Sequence, residues 1–214
     1  MGDQASVREI VHLAKIYYQR QWMFATAGNL SFRAETPSQF WVTASGKNKG
    51  NLTESDFVCV EVASATLIKN SPTNSEPTNK PSAETSIHRS IYRHFNDVQS
   101  ILHVHTLSSN LLNFNLDPSE GFRLIKIPNI EMIKAYGIWK EKPNLEMAVF
   151  YNYGDVAQIA EQISIFFNEN PEYPLPFLLV EEHGPTVWGK TIDEANRHLE
   201  ATAFLFDVMQ ELRK

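Results

Sequence analysis

The stretch Val98-Gln99-Ser100-Ile101-Leu102-His103-Val104-His105 is an apolar run that ends in two histidines separated by one residue. The run predicts a buried strand. Because side chains alternate between the two faces of a strand, His103 and His105 project to the same side, roughly 6–7 Å apart along the strand. Two imidazoles held together by one rigid strand favour a metal site at its end.

A second apolar run, Phe177-Leu178-Leu179-Val180, leads into Glu181-Glu182-His183-Gly184 and offers a third imidazole far along the chain. Three histidines leave at least one coordination position open, which is typical of catalytic rather than structural zinc. The alternative is that these histidines lie on the surface or make hydrogen bonds in the core. A His-x-His pair alone does not decide between the two.

Composition limits the classes of function that the chain can serve. Its 214 residues, 43% hydrophobic and 21% charged, predict one globular domain over residues 1–214. The net charge of −6, without a long block of lysine and arginine, speaks against a nucleic-acid partner. A small anionic ligand is still compatible, because a local lysine and main-chain N–H groups can oppose the global charge.

The sequence also bears on the compartment. The first residues, Met1-Gly2-Asp3-Gln4, lack the apolar core of a signal peptide, and no apolar run approaches about 18 residues. The single cysteine, Cys59, excludes an intramolecular disulfide and is predicted to be a small buried hydrophobic residue. We therefore expect a cytoplasmic protein without a membrane partner.

Apolar spacing predicts helices that alternate with strands. The predicted helices span residues 7–21, 82–95, 107–112, 155–167 and 191–206, with Ser82 as an N-cap. The predicted strands span residues 30–33, 40–43, 57–62, 98–103 and 177–180, with a further strand or hairpin at 66–68. Residues 70–80 predict an exposed loop, since nothing in them could pack. This order is typical of a layered α/β domain with a mixed or antiparallel sheet.

Two turns of small residues and one helix start supply candidate groups for binding an anion. The turns, Gly28-Asn29-Leu30-Ser31 and Thr43-Ala44-Ser45-Gly46-Lys47, each lie beside a predicted strand. Glycine permits close approach of the main chain, while asparagine, serine and lysine supply donors, so together they fit a phosphate. Ser82, at a predicted helix N-terminus, is a third donor. Only the convergence of all three would make a site, because each alone is more commonly an ordinary turn.

Glu84 and Glu131 are the two candidate catalytic acids. Glu84 falls in the first turn of a predicted helix, where an acid also favours the helix dipole; its functional role would be metal ligand or proton carrier beside the metal. Glu131 is flanked by Ile130, Met132 and Ile133, which predicts partial desolvation and a raised pKa suited to general acid–base catalysis. The alternative for Glu131 is a surface acid of an amphipathic helix.

Five motifs in order resemble the class II aldolase family over residues 7–210. They are Gly28-Asn29-Leu30-Ser31, Thr43-Ala44-Ser45-Gly46, Pro81-Ser82-Ala83-Glu84, His103-Val104-His105 and Glu182-His183-Gly184. The resemblance implies a layered α/β fold whose central, largely antiparallel sheet is flanked by helices. It also implies assembly as a homotetramer with sites between subunits.

The same resemblance implies roles for particular residues. By matching position, it makes His103, His105 and His183 the ligands of one Zn²⁺ per subunit. It makes a phosphate cradle of Asn29, Ser45, Gly46 and Ser82, with Lys47 as its cation. The implied partner is a small-molecule sugar phosphate.

Two segments are similar to the branch of the family that dehydrates 5-methylthioribulose 1-phosphate in methionine salvage. They are Ser45-Gly46-Lys47-Asn48-Lys49-Gly50 and Ile130-Glu131-Met132-Ile133-Lys134-Ala135. This similarity implies a zinc-dependent hydro-lyase that forms 2,3-diketo-5-methylthiopentyl 1-phosphate, with Glu131 as the acid and base. One alternative is a sugar-phosphate aldolase or 4-epimerase of the fuculose- or ribulose-phosphate type, using the same zinc site. Another is a non-catalytic, adducin-like interaction domain, which would be expected to lose the histidines.

Overall fold

A computed structural model of the chain describes residues 2–68 and 79–214. Its centre is one sheet of eight strands. The strands are β1 (Asn29–Arg33), β2 (Gln39–Thr43), β3 (Phe57–Glu61), β4 (Ser100–His103), β5 (Phe122–Lys126), β6 (Glu146–Phe150), β7 (Phe177–Val180) and β8 (Gly184–Gly189). The helices are α1 (Asp3–Gln19), α2 (Thr85–His94), α3 (Leu107–Leu111), α4 (Val156–Glu169) and α5 (Ile192–Glu211).

The strands lie in the order β3-β2-β1-β4-β8-β7-β6-β5 across the sheet. Every neighbouring pair is antiparallel except β6 and β7, which run parallel. The prediction of a largely antiparallel sheet in an α/β fold is therefore confirmed. β4, the strand that carries His103, lies in the middle of the sheet between β1 and β8.

Helices cover both faces of the sheet, and the alternation of strand side chains explains why. On β4, Leu102 packs into the core beneath α1 and α5, whereas its neighbour Ile101 packs into the core beneath α2 and α4. On β2, Trp41 joins the first core and Val42 the second. Strands buried on both faces give continuous apolar runs, which is why these segments could be recognised in the sequence.

Two details of the predicted elements differ in the structure. Helix α2 begins at Thr85 with Glu84 as its N-cap, so the expected cap at Ser82 is wrong. Instead, the Ser82 carbonyl accepts a hydrogen bond from the Thr85 N–H in a turn before the helix. Of the predicted loop at 70–80, residues 70–78 lie outside the described residues, and Asn79 is buried, where its side chain donates to the Ser55 carbonyl at 3.0 Å.

Candidate metal centre

The centre is built at the end of β4. His103 is the last residue of that strand and pairs with Asn29 on β1 and with Thr186 on β8. Its imidazole is buried, with a side chain only 1% exposed. Pairing with strands on both sides holds the main chain of His103 in place.

His105 lies just beyond the strand, yet its side chain joins that of His103. Its N–H donates to the Trp22 carbonyl at 2.8 Å, which fixes the main chain after β4. The Nε2 atoms of His103 and His105 are 2.9 Å apart. The prediction that both imidazoles project to the same side is confirmed.

His183 reaches the same point from the turn between β7 and β8. Glu182 before it adopts a left-handed conformation with φ of 53°, which produces the sharp turn. The following residue, Gly184, packs so closely on the Val104 carbonyl oxygen that a Cβ atom at this position would overlap it. The His183 ring centroid lies 4.4 Å from that of His105 and 4.9 Å from that of His103.

Glu84 adds a carboxylate from the start of α2. Its Oε1 lies 2.8 Å from His183 Nε2, and its Oε2 lies 3.3 Å from His103 Nε2. The side-chain amide of Asn29 donates to the same Oε2. Glu84, the N-cap of α2, therefore lies among the three histidines.

Burial sets the protonation states of this cluster. It lowers the pKa of His103 to about 4 and that of His105 to about 3, so both imidazoles are neutral at pH 7. Burial alone would raise the pKa of the Glu84 carboxyl, but the adjacent His103 and His183 hold it well below its usual range. Neutral imidazole and ionised carboxylate are the forms in which these groups bind metals.

The spacing of the donors fits a metal ion. One ligand atom from each of Glu84, His103, His105 and His183 lies within 4.8 Å of all the others. With Zn–N distances near 2.0–2.1 Å, the ligand atoms of a tetrahedral zinc site lie roughly 3.4 Å apart. The contacts of 2.8, 2.9 and 3.3 Å within the cluster are close to that value. Nitrogen and carboxylate ligands suit zinc and several other divalent metals alike.

A neighbouring carbonyl orients the ring of His103. The Nδ1 atom lies 2.8 Å from the Pro185 carbonyl oxygen, which can only accept, so the proton is on Nδ1. The lone pair of Nε2 then points into the cluster. Such a partner on the second ring nitrogen is the usual support of a metal-binding histidine.

A cavity of about 220 Å³ adjoins the cluster. It is lined by both cluster residues and the predicted anion-binding turns, among them Asn29, Ser45, Gly46, Ser82, Glu84 and His105. The two turns and the segment at Ser82 therefore meet in space, which an anion site built from all three requires. They meet beside the group of Glu84, His103, His105 and His183, which is called the metal cluster below.

In the structure Lys49, and not Lys47, is the lysine that lines the cavity. Lys47, the cation expected from the sequence, forms an ion pair with Asp56 at 3.0 Å and does not line the cavity. Lys49 lines it instead and is buried, with 2% exposure. Burial lowers the pKa of Lys49 to about 8, while the charge of Glu84 acts in the opposite direction. No role is predicted for Lys49 from the sequence. Its position in the segment Ser45-Gly46-Lys47-Asn48-Lys49-Gly50, two residues after Lys47, is the feature that could have indicated one.

Glu131 lies elsewhere on the chain. It begins a short 3₁₀ helix, Glu131–Tyr136, and its side chain is 84% exposed and paired with Lys134 at 2.8 Å. The expected partial desolvation of this carboxyl is therefore wrong for a single chain. The cavity that Glu131 lines, with Trp139 and its neighbours, is separate from the one beside the metal cluster. Its aliphatic neighbours, Ile130, Met132 and Ile133, are adjacent in sequence but do not enclose the carboxylate in the fold.

The sequence profile of the Class II Aldolase and Adducin N-terminal domain matches residues 8–209. The chain belongs to the class II aldolase and adducin family. A solved structure has the same fold. YgbL of Klebsiella pneumoniae, described as a putative aldolase/epimerase/decarboxylase, superposes with a TM-score of 0.78 over 99% of this chain and 91% of that one, at 22% identity.

Within the class II aldolase family, the chain is similar over nearly its whole length to proteins named methylthioribulose-1-phosphate dehydratase. The protein of that name from Leptospira biflexa serovar Patoc is 56% identical over 95% of this chain and 96% of its own. The one from Microcystis aeruginosa is 42% identical over 92% of this chain and 91% of its own. No helix in the described part of the chain combines the length and hydropathy needed to cross a bilayer.

Proposed function

We propose that the chain is a zinc-dependent hydro-lyase that converts 5-methylthioribulose 1-phosphate to 2,3-diketo-5-methylthiopentyl 1-phosphate in methionine salvage. The observation that carries the proposal is the 56% identity, over 95% of the chain, to the Leptospira biflexa protein named methylthioribulose-1-phosphate dehydratase. The cluster of three histidines and one glutamate supports it, because this chemistry requires stabilisation of negative charge beside a ketone.

In this proposal His103, His105, His183 and Glu84 hold the metal ion. When bound, a zinc ion supplies a Lewis acid that polarises the substrate ketone at C2 and makes the neighbouring C3 proton more acidic. The chain contributes the rigid placement of the ligands. The Pro185 carbonyl orients His103, and the Asn29 amide orients Glu84.

The cavity beside the cluster binds the phosphate end of the substrate. Asn29, Ser45, Gly46 and Ser82 line it and supply hydroxyl, amide and main-chain groups. Gly46 has a φ of +73°, and a Cβ atom at this position would meet no atom within 4 Å. Glycine is therefore favoured here by the left-handed main chain of the turn and not by a lack of space. Binding energy from this remote end fixes the orientation of the reacting carbons.

Glu131 is the proton-transfer residue of the proposal, and it acts on the site of a neighbouring subunit. Its exposed carboxylate lies outside the metal cluster of its own chain, so a role in catalysis requires a second copy of the chain. We place this contact in a homotetramer. Glu131 takes the proton from C3 and returns one to the hydroxyl that leaves C4, so that the substrate loses one water and a C3=C4 enol remains. This enol becomes the 2,3-diketone when the proton of its C3 hydroxyl is lost and C4 takes one up. Such catalysis typically contributes 10²–10⁴-fold.

We also propose that residues 1–214 form a single domain. Strands from Asn29 to Gly189 contribute to one continuous sheet, and α1 and α5 pack together on one of its faces. The proposed site draws on β1, α2, β4 and the turn before β8, so its residues come from neighbouring strands of this sheet and from a helix packed on it.

The test is turnover of the zinc-loaded protein with 5-methylthioribulose 1-phosphate, with fuculose 1-phosphate and ribulose 5-phosphate assayed alongside. We expect diketone formation that a chelator removes and zinc restores. A protein that cleaves or epimerises one of the other sugar phosphates, and leaves methylthioribulose 1-phosphate intact, would overturn the proposal. Binding without turnover of any of the three would favour an adducin-like interaction domain.

A further inference from the structure

Lys49 is a lysine whose ammonium group is fixed inside the fold. Its residue exposure is 2%, although lysine is almost never fully buried without a partner. The Nζ atom donates to two main-chain carbonyls, that of Thr26 at 2.8 Å and that of Lys47 at 3.0 Å. An ammonium group has three N–H donors, so these two bonds leave one donor for another partner.

The cavity beside the metal cluster is where that partner would bind. Lys49 lines this cavity together with Ser45, Gly46 and Ser82. Among the described residues that line it, Lys49 is the one lysine or arginine and Glu84 the one acid. Glu84 is already engaged by His103, His183 and Asn29. A positive charge held by neutral carbonyls therefore faces a cavity rich in hydroxyl groups, which is a binding site for an anion.

Lys47 cannot supply this charge in the same arrangement. Its Nζ lies 3.0 Å from an oxygen of Asp56, and that carboxylate also accepts from the Thr53 N–H at 2.9 Å. Lys47 thus connects the turn after Gly46 to the short 3₁₀ helix before β3, Glu54–Asp56. Its carbonyl, meanwhile, anchors the ammonium group of Lys49. The two lysines have different tasks: one holds the turn, and the other faces the cavity.

We propose that Lys49 is the specificity residue for the phosphate group of the substrate, the cation that distinguishes a phosphorylated ketose from its unphosphorylated form. This inference rests on the proposed function and deepens it. The two carbonyls fix the ammonium group before the substrate arrives, so little side-chain entropy is lost on binding. The phosphate would accept the third N–H of Lys49 along with hydroxyl and main-chain donors of Ser45, Gly46 and Ser82.

The experiment compares Lys49→Met, Lys49→Arg and the matched control Lys47→Met, all zinc-loaded. Calorimetry measures the binding of inorganic phosphate, and steady-state kinetics measure kcat and KM for 5-methylthioribulose 1-phosphate. We expect Lys49→Met to weaken phosphate binding and raise KM by about 10- to 100-fold, the effect of losing a hydrogen bond to a charged group. Zinc content should be unchanged. Lys49→Arg should recover part of the loss, and Lys47→Met should bind phosphate within about 2-fold of the wild type, since it breaks only a partly exposed ion pair.

A purely structural role for Lys49 has a different signature. Unphosphorylated 5-methylthioribulose should bind equally to the wild type and to Lys49→Met, whereas a distorted site would weaken both ligands together. If Lys49→Met fails to fold, ¹³C-labelled lysine in the wild type provides a second measurement. The Lys49 Cε resonance, identified by its loss in Lys49→Arg, should shift when phosphate is added, and an unmoved resonance would overturn the inference.

Failure of this inference and failure of the proposed function are distinguishable. Phosphate binding that depends on Lys49, in a protein that does not dehydrate 5-methylthioribulose 1-phosphate, supports the anion site and overturns only the proposed reaction. Dehydration with the same KM in the wild type and in Lys49→Met overturns the role of Lys49 and leaves the reaction in place.

Discussion

The Nε2 atoms of His103 and His105 lie 2.9 Å apart, although His105 follows the end of β4. Two neutral imidazoles at this distance present lone pairs to the same point, which is unfavourable unless a proton or a metal ion lies between them. We therefore expect His105→Ala to abolish metal binding, measured as zinc per chain after dialysis. His12→Ala, at an exposed position of α1, is the control and should keep its zinc. Full zinc content in His105→Ala would contradict the assignment of the ligand.

Glu131→Gln should separate metal binding from catalysis. The Glu131 side chain is exposed and bonded to Lys134, outside the metal cluster, so the variant should retain its zinc and its fold. Turnover should fall by about 10²–10⁴-fold, because the amide can neither take nor return a proton. Zinc analysis and steady-state kinetics on the same sample make the measurement. A variant that keeps both its zinc and full activity would show that Glu131 has no role in the reaction.

Mixed oligomers test whether Glu131 acts between subunits. His105→Ala chains and Glu131→Gln chains are each expected to be inactive alone. If the metal and the acid come from different subunits, co-expression should restore activity, at roughly one quarter of the wild-type level for random assembly. Chains that are mixed after folding and do not exchange subunits are the control. No recovery in verified mixed oligomers would place both groups on one chain.

Acid should destabilise the metal-free protein through its buried histidines. His88 is fully buried, its Nδ1 lies 2.7 Å from Ser31 Oγ, and burial lowers its pKa from 6.5 to about 4. Between these two values the unfolded chain binds a proton that the folded chain does not. The free energy of unfolding should therefore fall as the pH drops from 6.5 toward 4, by about 1.4 kcal/mol per pH unit for this residue.

Urea denaturation at pH 7 and pH 5, with a chelator present, measures this effect. His88→Gln keeps a polar group beside Ser31 but removes the titration, so its stability should change less between the two pH values. His103 and His105, whose pKa values are also lowered by burial, add to the loss in both proteins. An equal pH dependence in the wild type and in His88→Gln would mean that His88 titrates normally in the folded chain.

Gly184→Ala should displace the main chain that holds the metal-binding histidines. The added Cβ would overlap the Val104 carbonyl oxygen, and these two residues adjoin the ligands His183, His103 and His105. Overpacking of this kind typically costs 1–3 kcal/mol, and we expect weaker zinc binding as well. Gly154→Ala is the matched control, because a Cβ at that exposed position meets no atom within 4 Å. Thermal denaturation and zinc titration of both variants measure the difference; equal values would contradict the close packing.

The sequence predicts five of the eight strands, β1 to β4 and β7, and misses β5, β6 and β8. β4 and β7 are buried on both faces and lie within apolar runs, whereas β5 is an edge strand whose residues are half-buried or exposed. β6 does contain an apolar run, but no strand is predicted there. β8 was also missed, since its two glycines and Pro185 are turn signals, and only its pairing with β4 and β7 makes it a strand.

The candidate site could be predicted where its residues belong to one stretch of chain. It was harder to predict where a tertiary contact determines which side chain enters the site. His103 and His105 could be paired from their spacing alone. Lys47 and Lys49, in contrast, are two residues apart in one loop, and the sequence does not say which one Asp56 will bind. For Glu131 the aliphatic neighbours suggested burial, but in the single chain the carboxylate is exposed, and its surroundings in the proposed oligomer depend on a second copy.

The four metal-binding candidates come from three distant parts of the chain: the start of α2, the end of β4 and the turn before β8. An ion held there would close a loop of roughly 80 residues between His105 and His183, and a cross-link of that span removes several kcal/mol of entropy from the unfolded chain. With a single cysteine, this chain has no disulfide to do so. The catalytic ion would thus also stabilise the tertiary structure as a cross-link. Chelation should therefore lower the melting temperature as well as stop the reaction.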